Sequence, residues 1–113
     1  MKNIPESAFF PETLLQKADH FGESAELFWR QQDVLDVIAI LEKNKTVIYG
    51  LDFFKNEESE MHVLNYPDFS RKLAAIRTDI AERVRESCRW AREFVDTCEQ
   101  DENHRFTITW DDT

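Results

Sequence analysis

The residues of this chain that could do chemistry are few and scattered. Its three histidines, His20, His62 and His104, fall singly in three separate stretches, so no spacing brings two of them to one metal ion. There is no glycine-rich phosphate loop, no nucleophile elbow and no Cys-x-x-Cys. The one acid–base couple the pattern offers is His62 with Asp52, facing each other across a hairpin, and such cross-strand pairs are more often structural than catalytic. We therefore expect no catalytic residue, no metal and no cofactor.

Two cysteines, Cys88 and Cys98, fall on one predicted helix, about 15 Å apart along its axis, too far to pair with each other. Arg85, Arg89 and Arg92 surround Cys88 in sequence and would lower its pKa if their charges came close, but packing of a half-buried thiol is the simpler reading. Gly50 is one of only two glycines and interrupts an otherwise apolar strand, which it weakens, so something must require it. Either a large ring such as Tyr66 or Trp29 packs over it, or a partner's backbone approaches it. Asp52, two positions on, lies on the same strand face and must be exposed or hydrogen-bonded. Of the three tryptophans, Trp90 falls furthest from its helix's apolar stripe, which leaves it either packed against the N-terminal helices or presented as an aromatic anchor.

The element that must position these residues is Thr46 to Phe54, read as a buried strand. Val47, Tyr49, Leu51 and Phe53 would make its core face, and Thr46, Ile48, Gly50, Asp52 and Phe54 a mixed one. A short helix is expected from Pro11 to Phe21, stopped by Gly22, with another turn from a Ser24 cap to Trp29. Gln31 to Lys43 is a firm helix, with Val34, Leu35, Ile38 and Leu41 as its stripe, Val37 and Ile40 widening it, and Asn44 as a left-handed C-cap. After the strand, Lys55 to Ser59 is a polar connection and Glu60 to Leu64 a returning strand. Asp68 to Glu99, capped by Asp68 or Ser70, reads as one long helix with a bend or an overhanging end. Its inward positions are Phe69, Leu73, Ile76, Ile80, Val84, Ser87, Ala91, Phe94 and Cys98. Arg105 to Asp111 alternates as a last strand with Phe106, Ile108 and Trp110 inward. The fold class is then α+β: a small, three-stranded, mostly antiparallel sheet with Thr46–Phe54 central, helices on one face, and the order α-α-β-β-α-β.

At 113 residues the chain is expected to form a single domain, 1–113. Its formal charge of −9 disfavours nucleic acid and anionic membranes and favours a basic protein partner, although acidity also serves solubility alone. Residues 1–68 carry 13 acids and 6 bases, against 10 and 8 in residues 69–113, so the excess lies early. Free thiols and the lack of an export-type start point to the cytoplasm, and no apolar run reaches membrane-spanning length.

A Trp, a helix with a Leu-x-x-Ile-x-x-Leu stripe and a strand ending in Gly and Asp form a recognisable order. Here they are Trp29, Asp33-Val-Leu-Asp-Val-Ile-Ala-Ile-Leu41 and Val47-Ile-Tyr-Gly-Leu-Asp52. Asn65-Tyr66, Ser87-Cys88 with Ala91 and Phe94, and Phe106 to Trp110 continue the pattern. From about Phe28 onward the chain resembles the Immunity protein 40 family of bacterial polymorphic-toxin systems. It departs from the family's pattern at Leu51, where a second glycine is expected, and in a shortened aromatic segment at Asn65-Tyr66-Pro67. The resemblance implies a cytoplasmic protein without cofactor that binds and neutralises a cognate toxin domain, for instance a basic nuclease. Gly50, Asp52 and Tyr66, with Glu57, Glu58 and Glu60 on the hairpin, are the candidate partner-binding residues. The competing expectation is a small acidic interaction or regulatory module with no toxin involved.

Overall fold

A computed structural model describes residues 10–19, 27–58, 60–76, 79–99 and 101–110. The elements run α1 (Glu12–Leu15), α2 (Gln31–Lys43), β1 (Ile48–Glu57), β2 (Glu60–Asn65), α3 (Ser70–Ala75), α4 (Ile80–Thr97) and β3 (His104–Trp110). The sheet order is β2-β1-β3, and β1 pairs antiparallel with both neighbours. The architecture is thus α+β, with the predicted central strand in the centre.

Cross-strand pairs define the core face. Ile48 faces Trp110, Leu51 faces Ile108 and Phe53 faces Phe106, and all six side chains are buried. The helices pack on this face, where Val34, Val37, Ile38 and Leu41 of α2 and Val84, Cys88, Ala91 and Val95 of α4 join the same core. Each fully buried aliphatic side chain of this set contributes about 1.5–3 kcal/mol relative to exposure. The phase of β1 differs from the expected one. The pairing with β3 slips between Ile48 and Gly50, so Tyr49 is an extra residue in β1. That bulge turns Ile48 into the core and leaves Tyr49 only half-buried. It has a dedicated partner on α4: the buried Ser87 hydroxyl accepts the Ile48 N–H at 3.0 Å and donates to the Val84 carbonyl at 3.1 Å.

The single long helix is corrected to two. Ile76 is extended (φ −94°, ψ 96°), and Asp79 starts α4 afresh, its carboxylate accepting the Ala81 N–H at 2.9 Å. An N-cap of this kind satisfies a donor that a continuous helix would have bonded internally. The apolar repeat misleads at Ile80, which is 65% exposed beside the break. At the other end of α2 the left-handed residue is Lys45 (φ 55°), and Asn44 instead caps by donating its side-chain amide to the Ile40 carbonyl at 2.8 Å. The hairpin connection is also shorter than expected. Lys55 to Glu57 continue β1, Glu57 pairs with Glu60, and Glu58 takes the positive φ (54°) that primed turns need.

Near the N-terminus, α1 covers only one turn, and His20, Phe21, Gly22 and Ser24 lie outside the described residues. Phe28 and Trp29 are extended, not helical. Trp29 exchanges both backbone hydrogen bonds with Phe106, at 2.8 and 2.7 Å, and so covers the outer edge of β3. Asp19 pairs with Phe28 and accepts from the buried Arg105 at 2.7 Å, while the Phe28 ring meets Phe54 edge-on at 5.3 Å.

Candidate functional site

Gly50 is explained by the chain's own backbone. A Cβ there would stand 2.6 Å from the Pro67 carbonyl oxygen, a distance no side chain tolerates. That carbonyl accepts the Leu51 N–H at 3.2 Å, and the Tyr49 carbonyl accepts the Phe69 N–H at 2.8 Å. Residues Pro67 to Phe69 therefore take up the pairing of β1 where β2 has ended. The close approach predicted from Gly50 exists, but it is neither a ring nor a partner that makes it.

This arrangement leaves a cavity of about 220 Å³ against the start of β1. It is lined by Tyr49 to Asp52 of β1, Thr109 of β3, and Tyr66, Pro67, Asp68 and Ser70 of the returning chain. Asp52 is half-buried and accepts a long hydrogen bond, 3.3 Å, from Thr107. Asp68 accepts the Ser70 N–H at 2.8 Å, and hydrogen bonds from the hydroxyl and the N–H of Ser70 hold its carboxyl below the usual range. No cation among the described residues pairs with either carboxylate. Tyr66, 70% exposed, stands at the mouth.

Three of the six candidate residues, Gly50, Asp52 and Tyr66, thus line one cavity. Glu57, Glu58 and Glu60 do not join it. They sit exposed at the hairpin tip, about 17 Å further along β1 at the rise of a strand. Between the two groups runs β2, an edge strand exposed along nearly its whole length, with Val63 52% and Leu64 51% exposed. Val63 stands opposite Phe54, on the sheet face that carries Asp52, and the register slip at Phe53/Phe54 makes Leu64 an extra residue in β2.

The other candidates are resolved by geometry. His62 pairs with Lys55 on the core-side phase of the sheet, whereas Asp52 pairs with Thr107 on the opposite face, so the suggested acid–base couple does not form. His62 lies 3.9 Å from Glu60 instead. Cys88 is buried outright, and burial pushes its thiol up to about 12, with Glu42 adding to the rise and Arg92 opposing it. Arg85 brings it no relief, and Arg89 is engaged outward by Glu86 and Glu93 at 2.6 and 2.8 Å. Cys98, half-buried, is raised by burial as well. Trp90 is half-buried: Phe69 lies 5.6 Å from it and the Lys72 ammonium 5.1 Å over its ring, which ties α3 to α4. Among the described residues no three His, Cys, Asp or Glu side chains gather to hold a metal, and no helix is long and apolar enough to cross a membrane.

Sequence reasoning missed Val63, Leu64, Tyr49 and Asp68. A signal for the first two was present: the alternation of Glu60-Met61-His62-Val63 breaks at Leu64, and a short strand followed by Pro67 is placed at an edge, where apolar side chains need not enter a core. Tyr49 and Asp68 depend on a bulge and a chain return that leave no local mark. No family model, curated protein or solved structure matches this chain.

Proposed function

We propose that this chain is a protein-binding domain that captures a basic partner on the β2 side of its sheet, and that the partner is a bacterial toxin domain which it neutralises in the cytoplasm. The observation that carries the binding reading is the β2 surface. Val63, Leu64 and Tyr66 are three of the four large hydrophobic residues exposed among the described residues, and they follow closely along β2 and its exit, between acids at both ends. Exposed apolar groups collected in this way, with a polar rim, are the usual composition of a protein interface. Asp52 and Asp68 flank Tyr66, and Glu57, Glu58 and Glu60 flank the other end, so a basic surface is steered to this side in particular. The kind of partner is carried over as part of this proposal from the resemblance read in the order of Trp29, the α2 stripe and Gly50 to Asp52, and inhibition by coverage needs no catalytic residue or cofactor.

Co-expression tests this directly. The proposal requires a toxin domain encoded directly beside this chain, one that kills cells alone and spares them when the chain is present. Continued killing sinks the immunity reading and leaves the acidic interaction module with a different partner.

A further inference from the structure

The sheet treats its two edges differently. The outer edge of β3 is closed by the chain itself through the paired hydrogen bonds of Trp29 and Phe106, and the start of β1 by Pro67 to Phe69. The outer edge of β2 has no such cover among the described residues.

Hairpin geometry tells which groups that edge offers. Glu57 and Glu60 flank a two-residue turn, so they form the close pair that exchanges hydrogen bonds. Alternation makes Lys55 with His62 the next such pair. Asn56 with Met61 and Phe54 with Val63 are then the pairs whose N–H and C=O groups turn away from each other. The Asn56 N–H bears this out by donating across β1's other side to the Asn103 carbonyl at 2.8 Å. Met61 and Val63 therefore direct their N–H and C=O groups outward from β2. Edge strands are normally blunted by a lysine, a proline, a bulge or a cover, and the bulge of β2 falls at Leu64, beyond Met61 and Val63. Here the outward-bonding positions are Met and Val.

We propose that the free edge of β2 receives an extended segment of a basic partner as a fourth strand, bonded to the main chain of Met61 and Val63. Charge selects this occupant over a second copy of the chain. The edge begins at Glu57, Glu58 and Glu60, ends at Asp52 and Asp68, and belongs to a molecule of charge −9, so it repels its own copy and attracts a strand with basic residues at both ends. Val63 and Leu64 offer apolar contact between those ends. The proposal rests on the protein-binding reading above, but not on the partner being a toxin.

The probe is the peptide Lys-Thr-Val-Thr-Val-Thr-Lys, titrated into the ¹⁵N-labelled protein, with Glu-Thr-Val-Thr-Val-Thr-Glu as the charge control. The amide protons of Met61 and Val63 should move downfield with the lysine peptide, and the glutamate peptide should bind at least about tenfold more weakly. Val63→Pro removes one outward N–H while sparing the ladder to β1, and should weaken peptide binding about tenfold or more with native resonances kept elsewhere. Val63→Thr keeps that N–H and should stay within about threefold of wild type. Unmoved Met61 and Val63 amides, equal binding of both peptides, or unimpaired binding by a folded Val63→Pro would overturn the proposal. Concentration-dependent dimers that Val63→Pro abolishes would assign the edge to a second copy and overturn it too. The two readings separate: toxin neutralisation intact in Val63→Pro sinks strand addition alone, and peptide binding without neutralisation sinks the toxin alone.

Discussion

Gly50→Ala measures what the glycine is for. The new Cβ would meet the Pro67 carbonyl oxygen at 2.6 Å and needs about 0.8 Å of retreat to reach the 3.4 Å at which ordinary contact begins. The obstacle is backbone, held in place by the Leu51 N–H at 3.2 Å and by the neighbouring hydrogen bond from Phe69 N–H to the Tyr49 carbonyl. Retreat breaks or stretches both, at about 1 kcal/mol for each bond lost and more if the Leu51 N–H is left dry. Against this, alanine restricts the unfolded chain and returns about 0.4–1 kcal/mol. The net expectation is a loss of about 1–2 kcal/mol, the upper end applying where the Leu51 N–H is left dry, and a fall in Tm of roughly 4–8 °C for a chain of this size. Urea unfolding followed by the fluorescence of Trp29, Trp90 and Trp110 reads it, with the m-value unchanged. Hydrogen exchange should show the Leu51 and Phe69 amides losing protection first. A stability within about 0.5 kcal/mol of wild type, with those amides still protected, would refute the reasoning. If the same variant were stable but failed to bind a partner, the glycine would serve that partner's backbone instead.

Ser87→Ala removes the only side-chain acceptor of the buried Ile48 N–H and should cost about 1–3 kcal/mol in urea unfolding, more than an exposed serine on α4 would. Cys88 should resist thiol reagents until the protein unfolds, with Cys98 modified first in timed labelling. Because the folded thiol titrates near 12 and the unfolded one near 9, Cys88 holds its stabilising effect below pH 9. That effect falls as the pH climbs from 9 toward 12, by up to about 1.4 kcal/mol per unit, a slope that Cys88→Ala should remove. Reversing Glu57, Glu58 and Glu60 to lysine should slow association with a basic partner by about tenfold at low salt and little at high salt, and a salt-independent on-rate would rule the hairpin tip out of the encounter surface.

Much of the fold was legible because local pattern and burial agree. Helix α2 has the bounds its apolar stripe gives, and Phe106, Ile108 and Trp110 point inward as alternation requires. The failures share a cause. The stripe of Leu73, Ile76, Ile80 and Val84 fits one helix, and only the Asp79 cap, a weaker local signal, marks the break. Of the candidate site, Asp52, Tyr66 and the three glutamates were found as residue types, but their division into a cavity wall and a hairpin tip was not.

By itself, the sequence determined the apolar content, the acidic balance, the central strand and the anomaly of a glycine within it. The tertiary structure decided what those features meet. A one-residue bulge at Tyr49 turned Ile48 into the core, and the return of the chain at Pro67 claimed Gly50 for its carbonyl. Among the described residues, closure of one sheet edge by Trp29 left β2 as the open one. Each depends on contacts between residues distant in sequence, which periodicity along a single strand cannot register.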